Sequence, residues 1–134
     1  MAKIINLFGG PGAGKTTLAA ALFHSLKVLH LNAEIISEFP KDMIVEQNAQ
    51  ALDNQFYITA NQGYRIWCAA KVYDYVIVDS PVLLGAIYNK NQNIAVEFNA
   101  FLLKYHNEFD NVNIFLKRAK NLIHRMSGRV HDID

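Results

Sequence analysis

The sequence predicts an α/β fold in three layers: a mainly parallel sheet of four or five strands, doubly wound, with helices on both faces. Three observations lead there. Short apolar runs alternate with longer segments of helical spacing along the 134 residues. The runs are apolar at both alternating sets of positions, as strands covered on both faces must be. The first run ends in glycine directly before an alanine-rich helical segment.

Each element has its own signal. "KIINLF" (3–8) is a short buried strand. From Lys15, "KTTLAAALFHSL" sets Leu18, Leu22 and Leu26 four residues apart, a helix that packs one face down. "VLHLNAEIIS" (28–37) reads as the second strand, stopped by Pro40. "DNQFYITANQGYRIWCAAK" (53–71) is a helix whose inward stripe is expected at Phe56, Ala60, Gly63, Trp67 and Ala70. "YDYVIVDS" (73–80) is a strand with Pro81 at its turn. "IAVEFNAFLLKYHNEF" (94–109) sets Phe98, Phe101, Leu102 and Tyr105 on one side of a helix, and "NVNIFLK" (111–117) is a fourth strand. Trp67 and the phenylalanine and tyrosine rings are expected in the core, with base-stacking the alternative. The sequence stops at "GRVHDID", where another helix and edge strand would be due. That reads either as a C-terminal truncation or as a reduced sheet.

Composition narrows the function. A formal charge of +1 gives no reason to expect nucleic acid or an anionic membrane as the main partner. The single cysteine, Cys68, cannot form an internal disulfide and fits a reducing cytosol. The N-terminus has neither signal-peptide nor membrane-anchor character. The five histidines show no metal spacing. A single cytoplasmic domain, residues 1–134, is the expectation; the oligomeric state is open.

"GGPGAGKTT" (9–17) carries the chemistry. Gly9, Gly14, Lys15 and Thr16 fit G-x-x-x-x-G-K-[ST], between a strand and a helix where that loop belongs. Glycines admit positive φ and close backbone approach, so successive N–H groups can converge on anionic oxygens at a helix N-terminus. Lys15, expected to face solvent, would reach the β- and γ-phosphates, and the Thr16 hydroxyl would bind Mg²⁺. Asp79 closes an apolar strand, where a group ordering Mg²⁺ belongs. Taken alone it reads better as a helix cap than as a metal ligand; beside the glycine loop, metal is the better reading, with Ser80 able to serve as the cap instead.

Hydrolysis and transfer differ in what they need. A switch GTPase would show D-x-x-G and N-K-x-D, but Asp79 is followed by Ser80, Pro81 and Val82, and "NKNQ" carries Gln92 in place of the acid. Motor ATPases usually follow the metal aspartate with glutamate, and here Ser80 stands. Transfer needs a base, an acceptor site and mobile cations. Glu38 in "SEFPKD" would orient or deprotonate an acceptor hydroxyl, and Lys41 would hold an anionic one; a solvated loop pair is the alternative. Gln62 and Arg65, one helical turn apart, would read an acceptor base or phosphate, or form plain surface. No acid occurs between Asp110 and Asp132, while Lys117, Arg118, Lys120, Arg125 and Arg129 accumulate. That segment, about 117–131, reads as a solvated basic helix or as a lid hinged at Gly128 that closes over a triphosphate.

With the glycine loop, "SEFPKD", "VDSP", "FLKR" and "SGR" in this order, the chain resembles P-loop nucleoside and nucleotide kinases. More narrowly it resembles the small AAA-type ATPase/kinase-like proteins of tailed bacteriophages, related to the ribosylnicotinamide kinase domain and more distantly to deoxynucleoside kinases. The resemblance implies a P-loop NTPase fold and ATP·Mg²⁺ held by Gly10, Pro11, Gly12, Ala13, Gly14, Lys15, Thr16 and Thr17, with Asp79 ordering the metal. By the same analogy Glu38 matches a strand-end acid, and Arg125 or Arg129 matches a lid arginine. It implies phosphoryl transfer to a nucleoside, nucleotide or related hydroxyl; an ATPase or regulatory module without an acceptor is the alternative.

Overall fold

In the computed structural model, residues 1–10, 13–37 and 54–117 are described. β1 (Lys3–Phe8) is followed by α1 (Lys15–Val28), β2 (Ala33–Ile36), α2 (Gln55–Val72), β3 (Tyr75–Val78), a short α3 (Leu84–Tyr88), a 3-10 turn (Gln92–Ile94), α4 (Ala95–His106) and β4 (Asp110–Phe115). Among the described residues the strands form one all-parallel sheet of four, in the order β2-β3-β1-β4. Alternation of strand and helix dictates this: parallel neighbours need crossovers, and the helices supply them.

Alternate residues of β1 feed two cores. Leu7 and Ile77 join Ala19 on the α1 side, with Leu18, Leu22 and Leu26 packed against them as their spacing predicts. Ile4, Val76, Val78 and Ile36 face the other way, under Ile66 and Ala69 of α2 and Phe98 and Leu102 of α4. No described helix is long and apolar enough to cross a membrane.

Three expectations need correction. β2 begins at Ala33, because α1 runs on to Val28. The helix ends in a Schellman turn: His30 adopts φ 62, its N–H donates to the Lys27 carbonyl (3.0 Å), and Leu31 N–H donates to Leu26 (3.0 Å). A histidine in the position glycine usually takes disguises that stop as strand. Second, α2 is rotated from the expected stripe. Ile58, Gln62, Ile66 and Ala69 are buried, whereas Phe56 and Trp67 are 64% and 44% exposed, so these rings are not core. Close contacts fix the rotation. A methyl on Gly85 would collide with Thr59 Cγ2, and one on Gly63 would lie 2.9 Å from Tyr105 Cε2. The small residues of α2 must therefore face α3 and α4, which turns the large rings outward. Third, Phe98 and Leu102 of α4 are buried but Phe101 is exposed, and His106 takes a buried place instead.

β4 also departs from the apolar pattern. The buried Asn6 amide of β1 donates to Asn111 Oδ1 (2.9 Å) and Asn113 Oδ1 (3.0 Å) of β4. Asn111 Nδ2 in turn donates to the backbone carbonyls of His106 (2.7 Å) and Phe109 (3.1 Å). Side-chain amides thus join β1, β4 and the last turn of α4. A Lys3–Asp110 ion pair (2.9 Å) marks the amino end of the same seam but is half-exposed and contributes little.

Two outcomes follow from this packing. Gly85→Ala should cost about 1–3 kcal/mol in chemical denaturation, because Thr59, locked by its hydroxyl bond to the Gln55 carbonyl (2.6 Å), cannot move aside. Burial lowers the pKa of His106 below its ordinary 6.5, partly opposed by its bond to Asn113. Below about 6.5 the unfolded chain takes up a proton that the folded chain resists, so stability should fall as pH drops through that value. Melting temperatures between about pH 8 and about pH 5 should fall less steeply in His106→Gln than in the parent.

Candidate functional site

The glycine loop leaves the central strand of the sheet, and its first residue is tightly held. Leu116 N–H donates to the Phe8 carbonyl (2.8 Å), extending the β1–β4 pairing one residue past the end of β4. A Cβ on Gly9 would lie 3.0 Å from Ala13 Cβ and 3.2 Å from the Leu116 carbonyl oxygen, a backbone atom that cannot swing away. The site is thus tight for any side chain, which favours glycine where the chain turns between β4 and its own returning loop. Pro11 and Gly12 lie outside the described residues. The loop closes with Ala13 N–H donating to the Gly10 carbonyl (3.2 Å).

Gly14 sits at the N-cap of α1 with φ 92 and ψ 20. That left-handed conformation suits glycine, and it turns the chain into the first helical bond, Leu18 N–H to the Gly14 carbonyl (2.9 Å). With no side chain at the cap, the first amides of α1 keep their direction toward the loop and carry the positive end of the helix dipole. Lys15 opens the helix and is half-buried, not fully solvent-facing as expected; Thr16 and Thr17 on the first turn are exposed.

Asp79 follows β3 and is 3% exposed. The β1–β3 register ends at Asn6↔Val78, which brings Asp79 alongside Leu7, one strand from the loop. One buried carboxylate and one exposed hydroxyl, from Asp79 and Thr16, are hard oxygen donors of the kind Mg²⁺ takes. Ser80 does not cap the next helix: α3 starts at Leu84 behind a turn built on Pro81 and Val82, whose carbonyls accept from Leu84 (3.0 Å) and Gly85 (2.9 Å).

Gln62 and Arg65 do not share a face. Arg65 leans toward the carboxyl end of β2, where its guanidinium makes a long bond (3.4 Å) to the Ser37 carbonyl. Gln62 is 3% exposed and turned to the β3–α3 corner, where neither atom of its amide has a hydrogen-bond partner among the described residues. Leaving a buried amide in that condition costs about 1–3 kcal/mol. Sequence gave no sign of it, since a glutamine in a mixed helix reads as surface. Glu38, Lys41, Arg125 and Arg129 lie outside the described residues, as does the basic segment beyond the exposed Lys117.

A family model described as "AAA domain" matches residues 4–132, nearly the whole chain. The chain belongs to the AAA domain family. Membership implies a P-loop domain that binds nucleotide. No curated protein matches it. Among solved structures, one titled "Crystal structure of APE1195" superposes with a TM-score of 0.54 over 96% of this chain and 67% of that one, at 18% identity. The likeness is one of fold.

Gly14→Ala tests the loop geometry of the AAA domain. Alanine at φ 92 should cost about 1–2 kcal/mol in denaturation and weaken ATP in equilibrium titration, because relieving the strain turns the first amides of α1 away.

Proposed function

We propose that this AAA domain is an ATP-dependent small-molecule kinase that transfers the γ-phosphoryl group to a nucleoside, nucleotide or related hydroxyl. The observation that carries the reading is the end of β3: Asp79 is buried, and Ser80, Pro81 and the residues through Tyr88 include no acid to polarise a hydrolytic water. A catalytic carboxylate must then come from elsewhere, and Glu38, just past β2, is the candidate. The small bacteriophage ATPase/kinase-like proteins are the finer family in this reading.

In the proposed reaction residues Gly10 to Thr17 wrap the triphosphate with backbone amides, and Lys15 balances charge on the β- and γ-phosphates. Thr16 and Asp79 would hold Mg²⁺, which supplies a Lewis acid for phosphate oxygens when bound. Glu38 accepts the acceptor's proton, while Lys41, Arg65 and Gln62 hold the acceptor. Arg125 and Arg129, in a lid at about 117–131 hinged at Gly128, cover the transferring group and exclude water. The proposed unit is a single cytoplasmic domain over residues 1–134. A second reading, an ATPase or nucleotide-dependent regulatory module, draws on the AAA domain match itself.

Single substitutions separate the two. Lys15→Ala should abolish nucleotide binding with little change in thermal stability. Glu38→Gln should bind ATP normally and lose transfer by about 10²–10⁴-fold. The assay is transfer of label from γ-labelled ATP across nucleosides, nucleotides and nicotinamide riboside. Hydrolysis with no acceptor labelled, indifferent to Glu38→Gln, would overturn the kinase reading in favour of the second.

A further inference from the structure

A groove of about 540 Å³ opens between α2 and α4. Its size lies in the range of small-molecule sites. Phe56, Tyr64, Trp67, Phe98, Phe101 and Tyr105 supply its aromatic walls. The Tyr105 hydroxyl donates to the Gly63 carbonyl (2.8 Å), and its ring covers Gly63, so this wall is fixed in place. A second, smaller nook of about 40 Å³ lies in the β3–α3 corner and is lined by Gln55, Gln62, Ser80 and Tyr88. Thr59 and Val82 line both cavities. Among the described residues neither lining contains a charged side chain.

We propose that groove and nook form one ligand site for a flat, neutral heteroaromatic molecule carrying a hydrogen-bond donor and acceptor side by side. The aromatic walls take the ring by stacking, which tolerates any π-face. The Gln62 amide, with one donor group and one acceptor oxygen, both buried and both unpartnered among the described residues, is the complement of a lactam or amidine edge. Uncharged linings cannot balance an anion, so the recognised end is neither phosphate nor carboxylate. Gln62 is too recessed, at 3% exposure, for the flat face of a protein partner to reach. If the kinase reading above holds, on which this last step rests, the ligand is the phosphoryl acceptor, since the nook includes Ser80, next to Asp79.

Trp67, the only tryptophan, lines the groove and reports occupancy. Titrating the full chain with inosine, which has a lactam edge, should quench its fluorescence, whereas benzoate and purine riboside, the same bicycle without the lactam, should do so at least about tenfold more weakly. Gln62→Leu, folded by its melting curve, should lower inosine affinity about tenfold or more, and Ala60→Phe should fill the groove and abolish the quench. Lys15→Ala should lose ATP and keep the inosine response, so failure of the kinase reading is distinguishable from failure of this site. Three results overturn the proposal: no quench by inosine up to about 10 mM; equal inosine affinity in Gln62→Leu, which means the nook holds water; or quenching by protein concentration alone, which means a second copy covers the groove.

Discussion

Everything at the nucleotide end of this molecule depends on β1 being hydrogen-bonded on both sides. β3 pairs with it as far as Asn6 and β4 as far as Phe8, so the chain leaving Phe8 must turn within a space walled by Leu116 and Ala13. That space favours glycine, and a second glycine in the left-handed region brings the chain round to α1 without strain. The phosphate loop is thus the geometric result of a central parallel strand feeding a helix on one face. The same pairing with β3 sets Asp79, the residue after that strand, one strand away and buried.

α2 divides the remaining chemistry. Arg65 on one flank leans toward the end of β2, and Gln62 on the other is enclosed by the β3–α3 corner. The division follows from small residues: Thr59 against Gly85 and Gly63 against Tyr105 allow one rotation of the helix, and that rotation buries a polar amide while exposing Phe56 and Trp67. A core optimised for stability alone would do the reverse.

What could be read from sequence tracks how local the determinant is. β1, α1, β3 and the loop joining β1 to α1 follow from short apolar runs, glycine spacing and a leucine stripe, all within one element and its neighbour. The start of β2 was misread because His30 occupies a position where glycine would have announced the helix end. The face of α2 was misread because apolar residues surround it, so periodicity allows more than one stripe; contacts with Gly85 and Tyr105, residues far along the chain, decide between them. The crowding of Gly9 by Leu116 and the isolation of the Gln62 amide are likewise long-range facts without a local signature.

The asparagine cluster has a consequence for how the chain finds its sheet. Asn6 and Asn111 are 105 residues apart, so β4 docks at the cost of closing a very long loop. An apolar edge strand could settle one position off and still bury its side chains. Here such a slip would set Asn6 against Val112 and strand its amide, so β4 has one favoured alignment. Fidelity of assembly, more than added stability, is what these paired amides contribute.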